Sequence, residues 1–377
     1  MKIVVAPDSF KGSMTATHAA EVMKRGVLAV QDDCHVSMKP MADGGEGTLD
    51  TLLLATKGER IPVTCTGPLG EKITTSYGMT RNKTAIIECA NIAGLTLVPN
   101  DMRNPDLTTT YGIGEVMKDA LDRGCTAMII GLGGSATNDG GLGMLQALGL
   151  QAWDACGNVV GPFGSDLLTV RRVTLEGLDE RLSHIDIKVA RDVDYPLCGP
   201  EGASAVFGPQ KGATPYQVVV YDQALQSFGQ CIEKEIDRSF MNVRGAGAAG
   251  GLGFSLLALG ARLVSGAQLI AQATQLEDAI QGANLVLTGE GKSDEQTLYG
   301  KAPHYVAELA SHYGVPVVLL SGSLAGDLEG LRKKFSGCFS IINEPLSLEK
   351  AMEDAEQLLF SQTKQVIHFW NSIRKKG

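Results

Sequence analysis

NLVLTGEGKSDEQTLYGKAPHYVAELASHYGVPVVLLSGS, residues 284–323, carries the pattern that decides the fold. A short apolar run (284–288) leads into a polar, glycine-containing segment. A helical stretch over 302–313 follows, and then a second apolar run over 316–321. Parallel strands need a crossover of a dozen or more residues, so this spacing predicts a parallel βαβ unit. Downstream, a helix over 327–335, a strand over 338–342 (CFSII) and one long helix over 348–372 keep the rhythm. Upstream, the N-terminus begins it with a strand at 2–6 (KIVVA), a helix over 14–30, a strand at 34–40 and a helix from about 45 to 57. Five short strands alternating with helices predict an α/β fold with a doubly wound parallel sheet.

The middle of the chain follows a different pattern. Residues 61–90 hold three strand-like runs, IPVTCTG, KITTSYGM and KTAIIECA, joined by short turns that predict an antiparallel meander. A strand at 126–132, a strand near 185–191 and many glycine-rich connections come after it. The simplest parse is a discontinuous domain, 1–60 plus 281–377, with a second α/β domain, 61–280, inserted after its second helix. Strand 126–132 fits either sheet.

Composition removes several functional classes. With 33 Lys+Arg against 42 Asp+Glu, and no basic run, the chain lacks the electrostatic footprint of a nucleic-acid binder. No run of about 18 apolar residues occurs, so no membrane span is expected. MKIVVAPDSF reaches Asp8 too soon for a signal peptide. Eight cysteines, never closer than 24 positions apart, form no Cys-x-x-Cys pair and read as reduced thiols of a cytoplasmic protein. No two of the six histidines lie three or four apart, which disfavours a histidine metal site.

Ligands of open parallel sheets bind beyond the carboxyl ends of the strands. The first strand is followed by PDSFKGS (7–13), with Asp8, Ser9 and Lys11, and the second by PMADGGEGT (40–48), with Asp43 and Glu46. The third is followed by TGEGKSDEQTLYGK (288–301), with Glu290, Asp294 and Lys301, and the fourth by SGS (321–323). Carboxylates mixed with lysines and glycines suit Mg-nucleotide chemistry, because magnesium takes one or two carboxylates plus phosphate oxygens and backbone amides hold phosphate.

The insert contributes GLGGSATNDGGLG (131–143) and RGAGAAGGLG (244–253), each followed by an apolar helical stretch. The second formally fits G-x-G-x-x-G, but no acidic residue lies about 20 positions beyond it for a ribose. GEGKS (289–293) ends like a phosphate-binding P-loop, yet its first glycine position is Val286. Asp192 and Asp194 follow a strand, and Lys211 sits in a Gly-Pro loop; a paired carboxylate could serve as general base or metal ligand. Sixteen of the 46 glycines fall in segments 44–47, 131–143, 245–253 and 289–291, which points to close backbone approach there.

These segments, in this order, resemble the type-1 glycerate kinase family: APDSFKGS (6–13), ADGGEGT (42–48), TGPLGEK (66–72), GLGGSATNDGG (131–141), LCGPEGASAVFGPQKGA (197–213), GAGAAGGLG (245–253), LTGEG (287–291) and QTLYGKAP (296–303). The chain departs at Lys292, where the family usually has arginine, at Arg191, commonly cysteine, and at Ala93, more typically serine. The resemblance implies a flavodoxin-like domain with a second α/β domain inserted. It also implies ATP-dependent, Mg²⁺-assisted phosphorylation of D-glycerate to 2-phosphoglycerate, in a cleft between the domains.

On this reading Asp192, Lys11 and Asp8 are catalytic, with Asp192 as the base, and Ser9, Arg191 and Lys211 bind the substrate. Gly133, Gly134, Ser135, Asn138, Asp139, Gly247, Gly250 and Lys301 hold the nucleotide, and Asp43, Glu290 and Asp294 hold the metal. Formation of 3-phosphoglycerate, a kinase for another hydroxy acid, and a non-catalytic nucleotide- or metabolite-binding protein are the alternatives. No nucleic-acid or membrane partner is expected, and a homo-oligomer is compatible with the reading.

Overall fold

The computed structural model describes residues 1–191, 194–298, 300–326 and 328–374. It holds β1 (Lys2–Val5), β2 (His35–Met38), β3 (Glu59–Thr66), β4 (Lys72–Met79), β5 (Thr84–Glu88), β6 (Ala127–Gly131) and β7 (Gln151–Trp153). These are followed by β8 (Arg172–Thr174), β9 (Asp186–Arg191), β10 (Arg262–Ser265), β11 (Leu285–Ser293), β12 (Val317–Leu324) and β13 (Gly337–Ser340). The chain divides into two compact units. Unit 1 comprises Met1–Asp43, Asp50–Ala55 and the residues from Ser265 onward; unit 2 comprises Gly44–Leu49 and Thr56–Val264.

Unit 1 is built on a five-stranded sheet in the order β13-β12-β11-β1-β2. Every pairing in it is parallel. Counted within the unit the order is 2-1-3-4-5, the doubly wound flavodoxin-like arrangement. Ile3, Val5, Leu285, Leu287, Val318 and Leu320 pack against Met23 and Val27 of the helix Ala16–Leu28 and Leu359 and Ile367 of the helix Ala355–Arg374. The alternate residues Val4, Val286 and Leu319 are equally buried, so both faces of the sheet are covered, as a parallel sheet requires.

Two expectations change here. The third strand, read as 284–288, runs on to Ser293, and the fourth runs to Leu324, so GEGKS and SGS are strand rather than loop. Beyond its pairing with β1, β11 continues beside β12 through Lys292↔Ser323 and Ser293↔Leu324. Glycine permits this: a Cβ on Gly289 would collide with the Leu320 carbonyl oxygen, and one on Gly322 with the Gly291 carbonyl. The final helix also comes in two pieces, Leu348–Glu353 and Ala355–Arg374, because Asp354 (φ −90°, ψ 7°) leaves helical geometry.

Unit 2 centres on a six-stranded sheet in the order β10-β9-β6-β5-β4-β3. The β3–β4–β5 meander is antiparallel, whereas β5–β6 and β6–β9 are parallel. The strand that fitted either sheet, β6, therefore belongs to this one. Its core includes Ile87, Ile130 and Val189 from the strands, with Tyr221 and Phe228 of the helix Pro215–Ile236. All eight cysteines are free thiols. Among the described residues no helix is long and apolar enough to cross a membrane.

Gly289→Ala tests the paired extension of β11 and β12. Overpacking of this kind costs about 1–3 kcal/mol, and the thermal midpoint should fall accordingly. A midpoint equal to that of the parent chain would contradict the close approach.

Candidate active site

At the carboxyl edge of the unit 1 sheet lies a cavity of about 690 Å³ whose polar lining includes Asp8, Ser9, Lys11, Asp43, Glu290, Asp294 and Lys301. It opens where β1 has β2 on one side and β11 on the other, the switch point at which such sheets bind ligands. Pairing continues beyond the strand ends and fixes these loops: the Asp8 amide donates to the Gly289 carbonyl at 2.8 Å, and the Met41 amide to the Pro7 carbonyl at 2.8 Å.

Glu290 is 7% exposed and is held on both sides. Its Oε1 accepts from Ser293 Oγ (2.8 Å) and Thr297 Oγ1 (2.6 Å), and its Oε2 lies 3.5 Å from Lys301 Nζ. Ser293 Oγ and Ser321 Oγ are 2.6 Å apart, which ties β11 to β12. Asp8 and Asp43 are each 5% exposed. Burial pushes the Asp8 carboxyl well above the ordinary carboxylate range, and the charges of Asp43 and Glu290 push it the same way, against the Ser9 amide and Lys11. The Ser9 amide donates to Asp8 Oδ1 at 2.6 Å, while Ser9 Oγ is buried and has no hydrogen-bond partner. Asp294 pairs with Lys292 at 3.3 Å.

The donor set suits a magnesium–phosphate group: buried carboxylates, three lysines (Lys11, Lys292 and Lys301) and an unsatisfied hydroxyl in one cavity. Among the described residues no three His, Cys, Asp or Glu side chains group as a metal cage. Magnesium does not need one, since phosphate oxygens and water complete its shell.

The other expected residues lie in unit 2. The loop after β6 is held from within. Asp139, fully buried, accepts from the Thr110 amide (2.9 Å) and hydroxyl (2.7 Å) and from the amides of Gly141 (3.1 Å) and Gly143 (3.3 Å). Burial raises its pKa and these donors oppose the rise. Asn138 Nδ2 donates to Ser204 Oγ at 2.9 Å. Lys211 Nζ donates to Ser135 Oγ (2.9 Å) and to the Thr137 carbonyl (2.7 Å), and burial lowers its pKa to about 8.

The glycines answer largely to packing. A Cβ on Gly133 would collide with Gly45, one on Gly247 with the Pro196 carbonyl, and one on Gly250 with the Thr137 carbonyl. Gly134 is needed for its positive φ of 73°. Their side-chain-free faces are filled by protein. Arg191 forms an ion pair with Asp194, and its stem covers Gly245. Asp192 lies outside the described residues.

Two features escaped the sequence. The Ser293–Thr297–Ser321 hydroxyls around Glu290 carry no motif of their own. The segment 341–355 contributes Ile341, Ile342, Leu346, Leu348 and Met352 to the cavity wall. Reading past the fifth strand as past the other four would have found it.

Comparison with known proteins agrees along the whole chain. Residues 3–371 match the model of the glycerate kinase family. A protein of Bacillus subtilis (strain 168) named glycerate kinase is 47% identical over 95% of both chains. One of Escherichia coli (strain K12) named glycerate 2-kinase is 44% identical over 94% of both. A crystal structure from Salmonella typhimurium LT2, of a chain named glycerate kinase 2, superposes with a TM-score of 0.87 at 41% identity, covering 100% of this chain and 99% of that one.

Two of the buried ionisable groups, Lys211 and Asp8, predict opposite pH signatures. With a folded pKa near 8 against 10.5, Lys211 binds fewer protons in the folded state between those values. Stability should therefore rise through that window, by up to about 3 kcal/mol relative to Lys211→Met in urea unfolding. Asp8, with its folded pKa raised, favours folding below its unfolded pKa and loses that contribution as pH rises through the folded value. Asp8→Asn should thus gain more in thermal midpoint at pH 8 than at pH 5. Equal gains at both would show that Asp8 is not desolvated.

Proposed function

Because this chain belongs to the glycerate kinase family, we propose that it transfers the γ-phosphoryl group of ATP to the 2-hydroxyl of D-glycerate with Mg²⁺ as cofactor. The observation that carries the proposal is a cavity of unit 1 that combines buried carboxylates, three lysines and an unpartnered hydroxyl at the switch point of a parallel sheet. The name of the E. coli relative favours the 2-hydroxyl.

Phosphoryl transfer asks a protein mainly for positioning and for cations where negative charge spreads. Lys11 and Lys301 supply those cations within the cavity. Asp43 and Glu290 would hold magnesium, which neutralises phosphate oxygens when bound. Asp8, buried in the same cavity, would accept the hydroxyl proton. Ser9 Oγ, buried beside it without a partner, is placed to hydrogen-bond the acid. Asp192 is the rival base on the sequence argument. In unit 2, Lys211, Asn138 and Asp139 shape the loop after β6.

The test is to incubate the purified chain with Mg-ATP and a panel of small hydroxy acids and to identify products by ³¹P NMR. The expected product is 2-phosphoglycerate. A 3-phosphate would overturn the regiochemistry, and no product from any acid would overturn the kinase reading. Loss of a general base costs about 10²–10⁴ in rate. Asp8→Asn should lower kcat by that order, whereas normal turnover in Asp8→Asn together with a loss in Asp192→Asn would move the proton to Asp192.

A further inference from the structure

The cavity is larger than a three-carbon acid requires, and its lining is segregated by segment. The loops and strand extensions after β1, β2, β11 and β12 supply the ionic and hydroxyl groups. One stretch, 341–355, running from the end of β13 into the helix Leu348–Glu353, supplies lining side chains that are all apolar. Leu348 is 77% exposed and Met352 36% exposed, which leaves apolar surface bare beside a charged site. Met352 reaches across to Gly12, where a Cβ would meet its methyl at 2.7 Å. The apolar wall is thus continuous with the loop that carries Asp8, Ser9 and Lys11.

A cavity of about 690 Å³ falls in the size range of pockets that enclose ligands much larger than glycerate. Along the sheet, β13 lies three strand spacings from β1, roughly 14 Å at about 4.8 Å each. The ligand that fits such a site is flat and apolar at one end and polyanionic at the other. From this we infer that the wall formed by 341–355 is the seat of the nucleotide base. The sugar and phosphates then extend toward Lys11, Lys301 and the carboxylates. The unpartnered Ser9 hydroxyl, 8% exposed, marks the ionic end as built for a ligand rather than for the fold. This inference rests on the kinase reading for the identity of the phosphate donor. It assigns the base to unit 1 and leaves the glycine loops of unit 2 to packing.

The experiment measures binding rather than turnover. Mg-ADP and D-glycerate are each titrated by calorimetry into the full chain and into Leu348→Asp and Met352→Glu, with thermal midpoints as the folding control. Leu348 is largely solvent-facing, so its variant should fold like the parent, and the thermal midpoint checks the variant of the more covered Met352. Each should weaken Mg-ADP on the order of tenfold or more, the scale expected when an apolar contact is replaced by a charge. Glycerate affinity should stay within about twofold on the same scale. Unchanged Mg-ADP affinity in both variants, with 2-phosphoglycerate still formed by the parent, would overturn the base seat and leave the kinase reading standing. Weakened Mg-ADP binding in a chain that phosphorylates no acid would do the reverse. A parent chain without affinity for Mg-ADP would overturn both.

Discussion

The carboxylates of Asp8, Asp43 and Glu290 are buried together at one sheet edge, and their surroundings must supply what water otherwise would. Glu290 receives two hydroxyl hydrogen bonds and a lysine. Asp8 receives one backbone amide, and it carries the raised pKa that results from burial beside like charge. Much of unit 1 is arranged around that difference. The extension of β11 past its pairing with β1 brings Ser293 into hydrogen-bond contact with Glu290, and Ser321 on β12 braces Ser293 in turn. Neither brace could form if Gly289 or Gly322 carried a side chain that kept the two backbones apart.

Unit 2 resolves a related problem differently. Two of its buried polar groups hold neighbouring loops: Asp139 caps the helix after β6 and fixes Thr110, and Lys211 pins Ser135 and Thr137, while Asn138 Oδ1 and Thr137 Oγ1 are buried without a partner. The segment Gly44–Leu49 joins the same edge, with the Gly44 carbonyl accepting from the Gly133 amide at 3.3 Å and the Leu49 amide donating to Glu88 at 2.7 Å. A glycine-rich sequence can therefore mean backbone crossing backbone as readily as backbone meeting phosphate. Glycine alone does not distinguish the two, because both require the absence of a Cβ.

Much of unit 1 was legible from periodicity, since each buried parallel strand is a short apolar run and each crossover is helical. The position of Glu290 was less so. Glycine and lysine in GEGKS read as loop by composition, while the paired backbone of β12, 31 residues downstream at Ser321, holds the segment as strand. The break at Asp354 was invisible for a similar reason: helical periodicity continues across it, and only the backbone angles change. In the segment 341–355 the charged residues Glu344, Glu349, Lys350, Glu353 and Asp354 alternate with the apolar ones that line the cavity, a pattern that reads as an ordinary amphipathic surface stretch.

By itself the sequence determined the α/β class, the doubly wound sheet and, through its ordered motifs, the glycerate kinase family, because local patterns of apolar spacing and loop chemistry suffice for these. It also offered Asp8, Ser9, Lys11, Asp43, Glu290 and Lys301 as candidates, on the rule that a parallel sheet exposes its binding edge at the carboxyl ends of its strands. Only the tertiary structure decided which of those residues share a cavity, which glycines make room for protein, and which carboxylate is driven from its ordinary pKa. Those properties depend on burial and on distances between residues far apart in the chain, which local sequence patterns do not encode.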